Sequence, residues 1–303
     1  MKYYLTLPLI FAGLSVYAQQ TLAEHHFESA DIDEVVVMGS FCDVYVSKGA
    51  KVTFDGVIEG KGDKDDYLIA SIKSGKSVVF KVERKVQNGW NWDNITKATF
   101  EITIPDGTYL KLDNTSGDVQ VRGLTAREYK IETTSGDITI DELKGKLEGM
   151  STSGDVRITG VSGNINFKTT SGDQKFGDII GNLDTRSTSG DITARAVSGS
   201  VFIRSTSGDL EFAQVDGALS LESTSGDIQG TRVRLTADSE ARSTSGDIYI
   251  EFANDLDEIG FDLRASSGDL KVGSIRAEDE LLLRRGKFLF RGVSSSGDQT
   301  YVD

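Results

Sequence analysis

The 303-residue chain has one cysteine, Cys42, two histidines, His25 and His26, and two prolines, Pro8 and Pro105. Each scarcity excludes something. A lone cysteine cannot close an intrachain disulfide, and its place in the alternating run SFCDVYV reads as a small apolar side chain in a strand core. Two adjacent histidines near the start give no fold-held base for a Ser-His-Asp or Cys-His site. With no cysteine near them they also fall short of a zinc site. The shortage of proline suits a structure in which every backbone N–H joins a ladder. Positive charge is short as well: 33 Lys and Arg against 47 Asp and Glu leave a net −14. That balance makes nucleic acid a poor partner and an anionic membrane surface no better, while a cation or a basic surface fits it.

Long apolar runs are missing beyond the N-terminus, where none approaches the ~18 residues of a spanning helix, so no integral membrane span is expected. The opening MKYYLTLPLIFAGLSVYAQQ has Lys2 as a minimal positive region and Leu5–Val16 as an apolar one. Val16-Tyr17-Ala18 follows as a small-residue cleavage site. Residues 1–18 therefore read as a signal peptide, with the mature chain starting at Gln19. The absence of a cysteine at that site argues against a lipid anchor. The expected location is the periplasm, the cell surface or the medium.

What the sequence has in abundance is one tetrapeptide. TSGD stands at Thr115–Asp118 and again from Thr134, Thr152, Thr170, Thr188, Thr206, Thr224 and Thr244, with SSGD from Ser266 and Ser295. From Gly136 to Gly226 the SGD glycines are 18 apart, and Gly145, Gly163, Gly181, Gly199 and Gly217 stand midway. Nearly every nonapeptide has an apolar residue at its third place and usually at its fifth, as in Ile192 and Ala194 or Val201 and Ile203. Such alternation over a short segment marks a strand with one buried face. The eighth place alternates between aliphatic (Val161, Ile179, Val197, Val215, Val233) and Thr. The unit is thus 18 residues in two unlike nine-residue halves. Stacked at ~4.8 Å, such units make an all-β parallel β-solenoid, right-handed by the usual rule for parallel crossovers. A left-handed hexapeptide helix would show period six, which is absent.

The expected organisation is irregular N-terminal β coils over 19–110, merging without a linker into regular SGD coils over 111–303. Beyond Gly226 the spacing loosens to 20, 22 and 29 residues. The inserts NDLDEIG and EDELLLRRG are expected to bulge as loops, and residues 279–303 to cap the open edge, since an exposed last rung would template aggregation.

Turn chemistry alone accounts for TSGD. Gly supplies positive φ, Ser and Asp bond nearby backbone groups, and a β-branched Thr suits an inward or ladder position before the corner. The functional alternative rests on Asp155, Asp173, Asp191, Asp209 and Asp227, which should stack in a column. Carboxylates ~4.8 Å apart repel by about 1 kcal/mol in water and more near protein. Backbone N–H groups, cationic neighbours or bound Ca²⁺ must offset this. A calcium β-roll needs three glycines and an Asp in every nine residues, a pattern not met here. A basic column (Lys168, Arg186, Arg204, with Glu222 intervening, then Arg242 and Arg264) lies three residues before the SGD serines. It reads as rim ion pairs, with an acidic glycan as the alternative occupant.

Catalytic motifs fail one by one. KSGKS at Lys73–Ser77 has Ala70 where a phosphate loop requires glycine, and a strand pattern follows where that loop requires a helix. Acidic residues are plentiful, but none break the repeat in a cluster, as a grafted polysaccharide-cleaving site should. No catalytic or cofactor-binding residue is assigned. NGWNWDN at Asn88–Asn94 holds both tryptophans in a polar, turn-rich stretch. Trp90 and Trp92 are either folded against the side of the solenoid or displayed for a partner.

The stretch ATFEITIPDGTYLKLDNTSGDVQVRGL at Ala98–Leu124, followed by serial TSGD units, resembles the bacterial adhesin-like family of cell-envelope β-solenoids. The likeness covers about residues 32–303. It implies an exported right-handed β-solenoid and supplies no catalytic residue. The expected function is therefore non-enzymatic: surface interaction with a glycan or an envelope or surface protein, or envelope scaffolding. The alternatives are a Ca²⁺-stabilised structural solenoid and a carbohydrate-active enzyme.

Overall fold

The structure is a computed structural model that describes residues 20–61, 66–85 and 95–303. Among these the chain forms 29 strands and a single short 3-10 turn, Leu256–Glu258. Most pairings are parallel, and together the strands wind a β-solenoid around one continuous apolar core.

Through the regular region each strand pairs with one eighteen residues on. Ile192 lies opposite Leu210, and Val201 opposite Leu219. Successive strands fall alternately into two stacks, one containing Ile192–Ser198 and the other Val201–Ser207. The side chains of Ile192, Ala194 and Val197 point inward from one stack, and those of Val201 and Ile203 from the other. Period-two alternation in the sequence thus becomes a filled interior.

The two halves differ by a single backbone feature. Glu142, Gly160, Asp178, Ala196, Gln214 and Arg232, each eighteen residues from the last, have φ of +53° to +67°. This left-handed residue shifts the alternation by one, so the next side chain (Val161, Ile179, Val197, Val215, Val233) turns inward. The other half lacks it. Its eighth-place threonines, such as Thr188 and Thr206, are exposed, and the buried hydroxyl is the residue before: Ser151, Thr169, Ser187, Ser205, Ser223. Of the two places expected for the TSGD threonine, inward or in the ladder, it takes the ladder: Thr188 and Thr206 lie within strands and face outward, and the inward hydroxyl is one residue earlier.

At the SGD corner, Gly190 has φ +110°, and an added Cβ would stand 2.3 Å from the Gly172 carbonyl oxygen of the previous coil. Corner shape and coil spacing therefore require the same residue.

Both ends abandon chain order. Near the N-terminus, Glu34–Ser40 and Asp43–Lys48 form a coil lying directly on Tyr109–Asn114 and Val119–Arg122. The described strands between them in sequence pair beyond it, on the side away from the regular coils. Ser77–Arg84 and Ile95–Ile104 pair in parallel with that coil, while Val52–Gly60, Gln20–Ser29 and Tyr67–Ser74 add antiparallel strands. The KSGKS segment is the tip of the Tyr67–Ser74/Ser77–Arg84 hairpin. At the other end, 279–303 divides. Glu280–Leu283 does line the edge, antiparallel to Phe261–Arg264. Phe288–Ser296 and Gln299–Val302 instead sit within the stack, so only the first part caps it. Of the two inserts, NDLDEIG holds the 3-10 turn, and EDELLLRRG holds this edge strand.

Cys42 lies fully buried in the core. Burial first, and the Asp43 carboxylate second, push its thiol up to about 12. Thiol reagents at pH 8 should therefore label it only as fast as the protein unfolds, and rapid labelling of the native protein would refute the burial. Gly190→Ala should cost about 2–4 kcal/mol in urea unfolding, combining forbidden φ with a backbone clash. Gly75→Ala, at φ +59° with nothing within 4 Å of the added Cβ, should cost about 1–2 kcal/mol.

Candidate contact surface

The SGD edge is a hydrogen-bonded ladder of aspartates. The Asp191 backbone N–H donates to Oδ1 of Asp173 at 3.0 Å, that of Asp209 to Asp191 at 2.9 Å, and that of Asp227 to Asp209 at 2.8 Å. The same bond links Asp155 to Asp137 and Asp173 to Asp155. The ladder extends from Asp43 through Asp118 at one end and to Asp247, Asp298 and Asp269 at the other. Every carboxylate of the ladder except that of Asp269, at its end, thus takes the N–H of the next coil's aspartate, which offsets repulsion along the column. At a second corner, Asn164 Oδ1 accepts from Asn182 N–H, and Asn182 Oδ1 from Ser200 N–H, both at 3.0 Å. A neutral amide makes the same bond, so the ladder requires an oxygen and not a charge. Among the described residues, no group of three or more His, Cys, Asp or Glu is placed to hold a metal ion.

Beneath the corner runs the buried hydroxyl column. Ser187 Oγ donates to the Ser189 carbonyl at 2.9 Å, and Ser205 Oγ to that of Ser207 at 3.1 Å, satisfying polar atoms that burial would otherwise penalise. Two glutamines replace the usual aliphatic after SGD. Gln174 is fully buried, donates to Thr169 Oγ1 and the Arg186 carbonyl, and accepts from Thr185. Gln299 is its counterpart near the C-terminus. The signal was in the sequence as SGDQ at Ser171 and Ser296.

The basic column lies outside one stack. Lys168, Arg186, Arg204, Glu222 and Arg242 are register neighbours in successive coils, followed by Val293 and then Arg264. Arg204 pairs with Glu222 at 2.8 Å and Arg242 with Glu240 at 3.1 Å. Arg186 and Arg204 also flank the half-buried Phe202 ring, their guanidinium carbons 5.5 and 5.6 Å from its centroid. Phe202 borders a cleft of about 410 Å³ that includes Ser220, Asp238, Glu240 and Arg291. On the other stack, Arg157, Lys175, Arg195 and Glu211 line a second cleft of about 540 Å³. Arg195 is paired there with Glu211 at 2.7 Å.

Neither histidine is part of a triad. His25 Nε2 lies 2.8 Å from Ser71 Oγ, whereas the carboxylate partner, Asp55, belongs to His26 at 2.6 Å. Both histidines occupy the edge strand Gln20–Ser29. Trp90 and Trp92 lie outside the described residues.

The ladder predicts an asymmetry between two substitutions. Asp209→Asn keeps the acceptor and removes a charge, so unfolding free energy should stay within about 0.5 kcal/mol. Asp209→Ala should lose about 1–2 kcal/mol. Chelator should leave the thermal midpoint of the wild type unchanged. A midpoint lowered by both chelator and the Asn variant would instead show a cation in the column.

The Toastrack DUF4097 family model matches residues 43–198 and, overlapping them, 161–287. No curated protein matches the chain. Among solved structures, a candidate adhesin from Bacteroides fragilis NCTC 9343 is 12% identical, covering 94% of this chain and 98% of that one, with a TM-score of 0.40. A candidate adhesin from Parabacteroides merdae ATCC 43184 is 10% identical over 93% and 96% of the two chains, with a TM-score of 0.31. A third, named as a candidate lipid binding protein from Parabacteroides distasonis ATCC 8503, is 12% identical over 93% and 96%, with a TM-score of 0.38. With the two family matches together spanning most of its length, the chain belongs to the Toastrack DUF4097 family.

Proposed function

We propose that this protein is an exported, non-enzymatic display scaffold. Its solenoid consists of right-handed coils of 18 residues in two nine-residue halves, and its long faces bind a glycan or an envelope or surface protein. One observation carries the reading. The SGD aspartates and the buried hydroxyls hold the stack together, whereas outward positions in register differ from coil to coil, as Asp184, Phe202, Ser220 and Glu240 do. A scaffold with an invariant spine and variable faces holds diverse side chains at fixed ~4.8 Å steps. Binding to an extended partner benefits from such rigidity, because little ordering entropy remains to be lost.

Phe202 with Arg186 and Arg204 is an outward cluster of the kind found at interaction hot spots, an aromatic with two arginines over its ring. Export is supported by the signal-like residues 1–18. Two strand-held histidines with separate partners, neither in a triad, and a repeat without a clustered break support a non-enzymatic role.

Protease treatment of intact cells, paired with fractionation, tests the reading. Digestion on whole cells is the outcome expected of an adhesin, and Phe202→Ala should then reduce retention on glycan or matrix panels. Protection together with a periplasmic location would replace adhesion by envelope scaffolding. An uncleaved chain in the cytoplasm would sink the proposal.

A further inference from the structure

The last coil of the chain is a wedge. Phe288–Ser296 pairs in parallel with Ser239–Ser245 on one side and Ile259–Ala265 on the other. Gln299–Val302 likewise lies between Ile248–Phe252 and Leu270–Val272. The Asp ladder passes through it: Asp298 N–H donates to Asp247 Oδ1, and Asp269 N–H to Asp298 Oδ1, both at 2.8 Å. Two earlier coils therefore form a slot, and the C-terminus fills it.

The backbone ladder does not select this order. The coil holding Gly268 carries the same SGD corner as the wedge, so it could continue the ladder from Asp247 by itself. The six residues 253–258 can span up to ~20 Å, enough for one rung or two. Selection comes from the wedge's inner chemistry. Gln299 Nε2 donates to Ser294 Oγ within the wedge and to the Arg264 carbonyl of the outer coil, both at 2.8 Å. Tyr301 OH donates to Gln299 Oε1 at 3.0 Å. The Tyr301 ring is fully buried, packed edge-on against Phe290 and stacked on Phe252 across the slot wall. Gly292 makes the room: a Cβ there would lie 2.2 Å from Gln299 Oε1 and 2.5 Å from Tyr301 OH. Arg284–Lys287, all four residues exposed, join the wedge to the preceding edge strand.

We propose that this slot is a peptide-binding site specific for a parallel, SGD-bearing coil, filled in cis by Phe288–Val302, and that a second copy of the chain can fill it instead. Exchange about Arg284–Lys287 preserves every contact of the wedge. Its equilibrium penalty is then the association entropy, and its barrier is the opening of the slot.

The test uses the full chain with a protease site in place of Arg284–Lys287, cut after folding. The fragment from Phe288 onward should co-elute with the body. A labelled peptide of residues 288–303, added in excess and warmed below the unfolding midpoint, should enter to about one per chain. The same peptide with Gly292→Ala should bind about tenfold more weakly or worse. Release of the fragment from a still-folded body, failure of the peptide to enter, or equal entry of the Gly292→Ala peptide would overturn the site. The uncut wild type, mixed in two tagged forms under the same warming, should yield mixed-tag dimers on capture. Single-tag monomers alone would overturn exchange between copies.

Discussion

The contact on which the rest depends is a backbone-to-backbone approach at the SGD corner. The carbonyl oxygen of one glycine lies 2.2–2.3 Å from where a Cβ on the next coil's glycine would be, as at Gly172, Gly190 and Gly226. Only glycine lets coils come that near, and the adjoining aspartate then finds the next coil's N–H at hydrogen-bond distance. Once the corners are locked in register, so are the strands that leave them. Parallel pairing and inward alternation follow over both stacks.

That constraint explains two features which otherwise look costly. A column of carboxylates accumulates like charge, yet all but the last, Asp269, have an N–H donor, and most lie exposed at the edge where water screens them. A column of hydroxyls lies in the core, but most of them, such as Ser151, Ser187, Ser205 and Ser223, donate to a carbonyl of the adjoining corner. The left-handed residues of the other half are a further strain, about 1–2 kcal/mol each for Ala196, Gln214 or Arg232. They turn Val197, Val215 and Val233 inward, and each valine returns a comparable ~1.5–3 kcal/mol on burial.

Much of this was legible in the sequence, because a repeat shows its period directly. Spacing between glycines placed the corners, and third- and fifth-place apolar residues placed the core, as at Ile192 and Ala194. Backbone donors were foreseen as one way to relieve the aspartates, and the ladder is that solution. Which hydroxyl faces inward was left open, since the backbone φ that shifts alternation in one half and not the other leaves no residue signature: Glu, Gly, Asp, Ala, Gln and Arg all occupy it. The Phe202 clamp was hidden because its arginines belong to different coils, and only the stacking register brings them to one ring.

The order of the coils was the least legible property, and the reason is physical. When every coil presents the same corner, any coil can stack on any other, and the ladder is degenerate with respect to sequence order. A unique order must come from residues that break the repeat. At the C-terminal end those are Gln299 and Tyr301, with Gly292 making room for them: Gln299 reaches the Arg264 carbonyl on one side and the Tyr301 ring stacks on Phe252 on the other. At the N-terminal end they are Phe54, Phe80 and Phe100, packed with centroids 4.2–4.9 Å apart where the antiparallel strands close the stack. Identical corners stabilise a stack of any order, and unlike interiors at its two ends choose one.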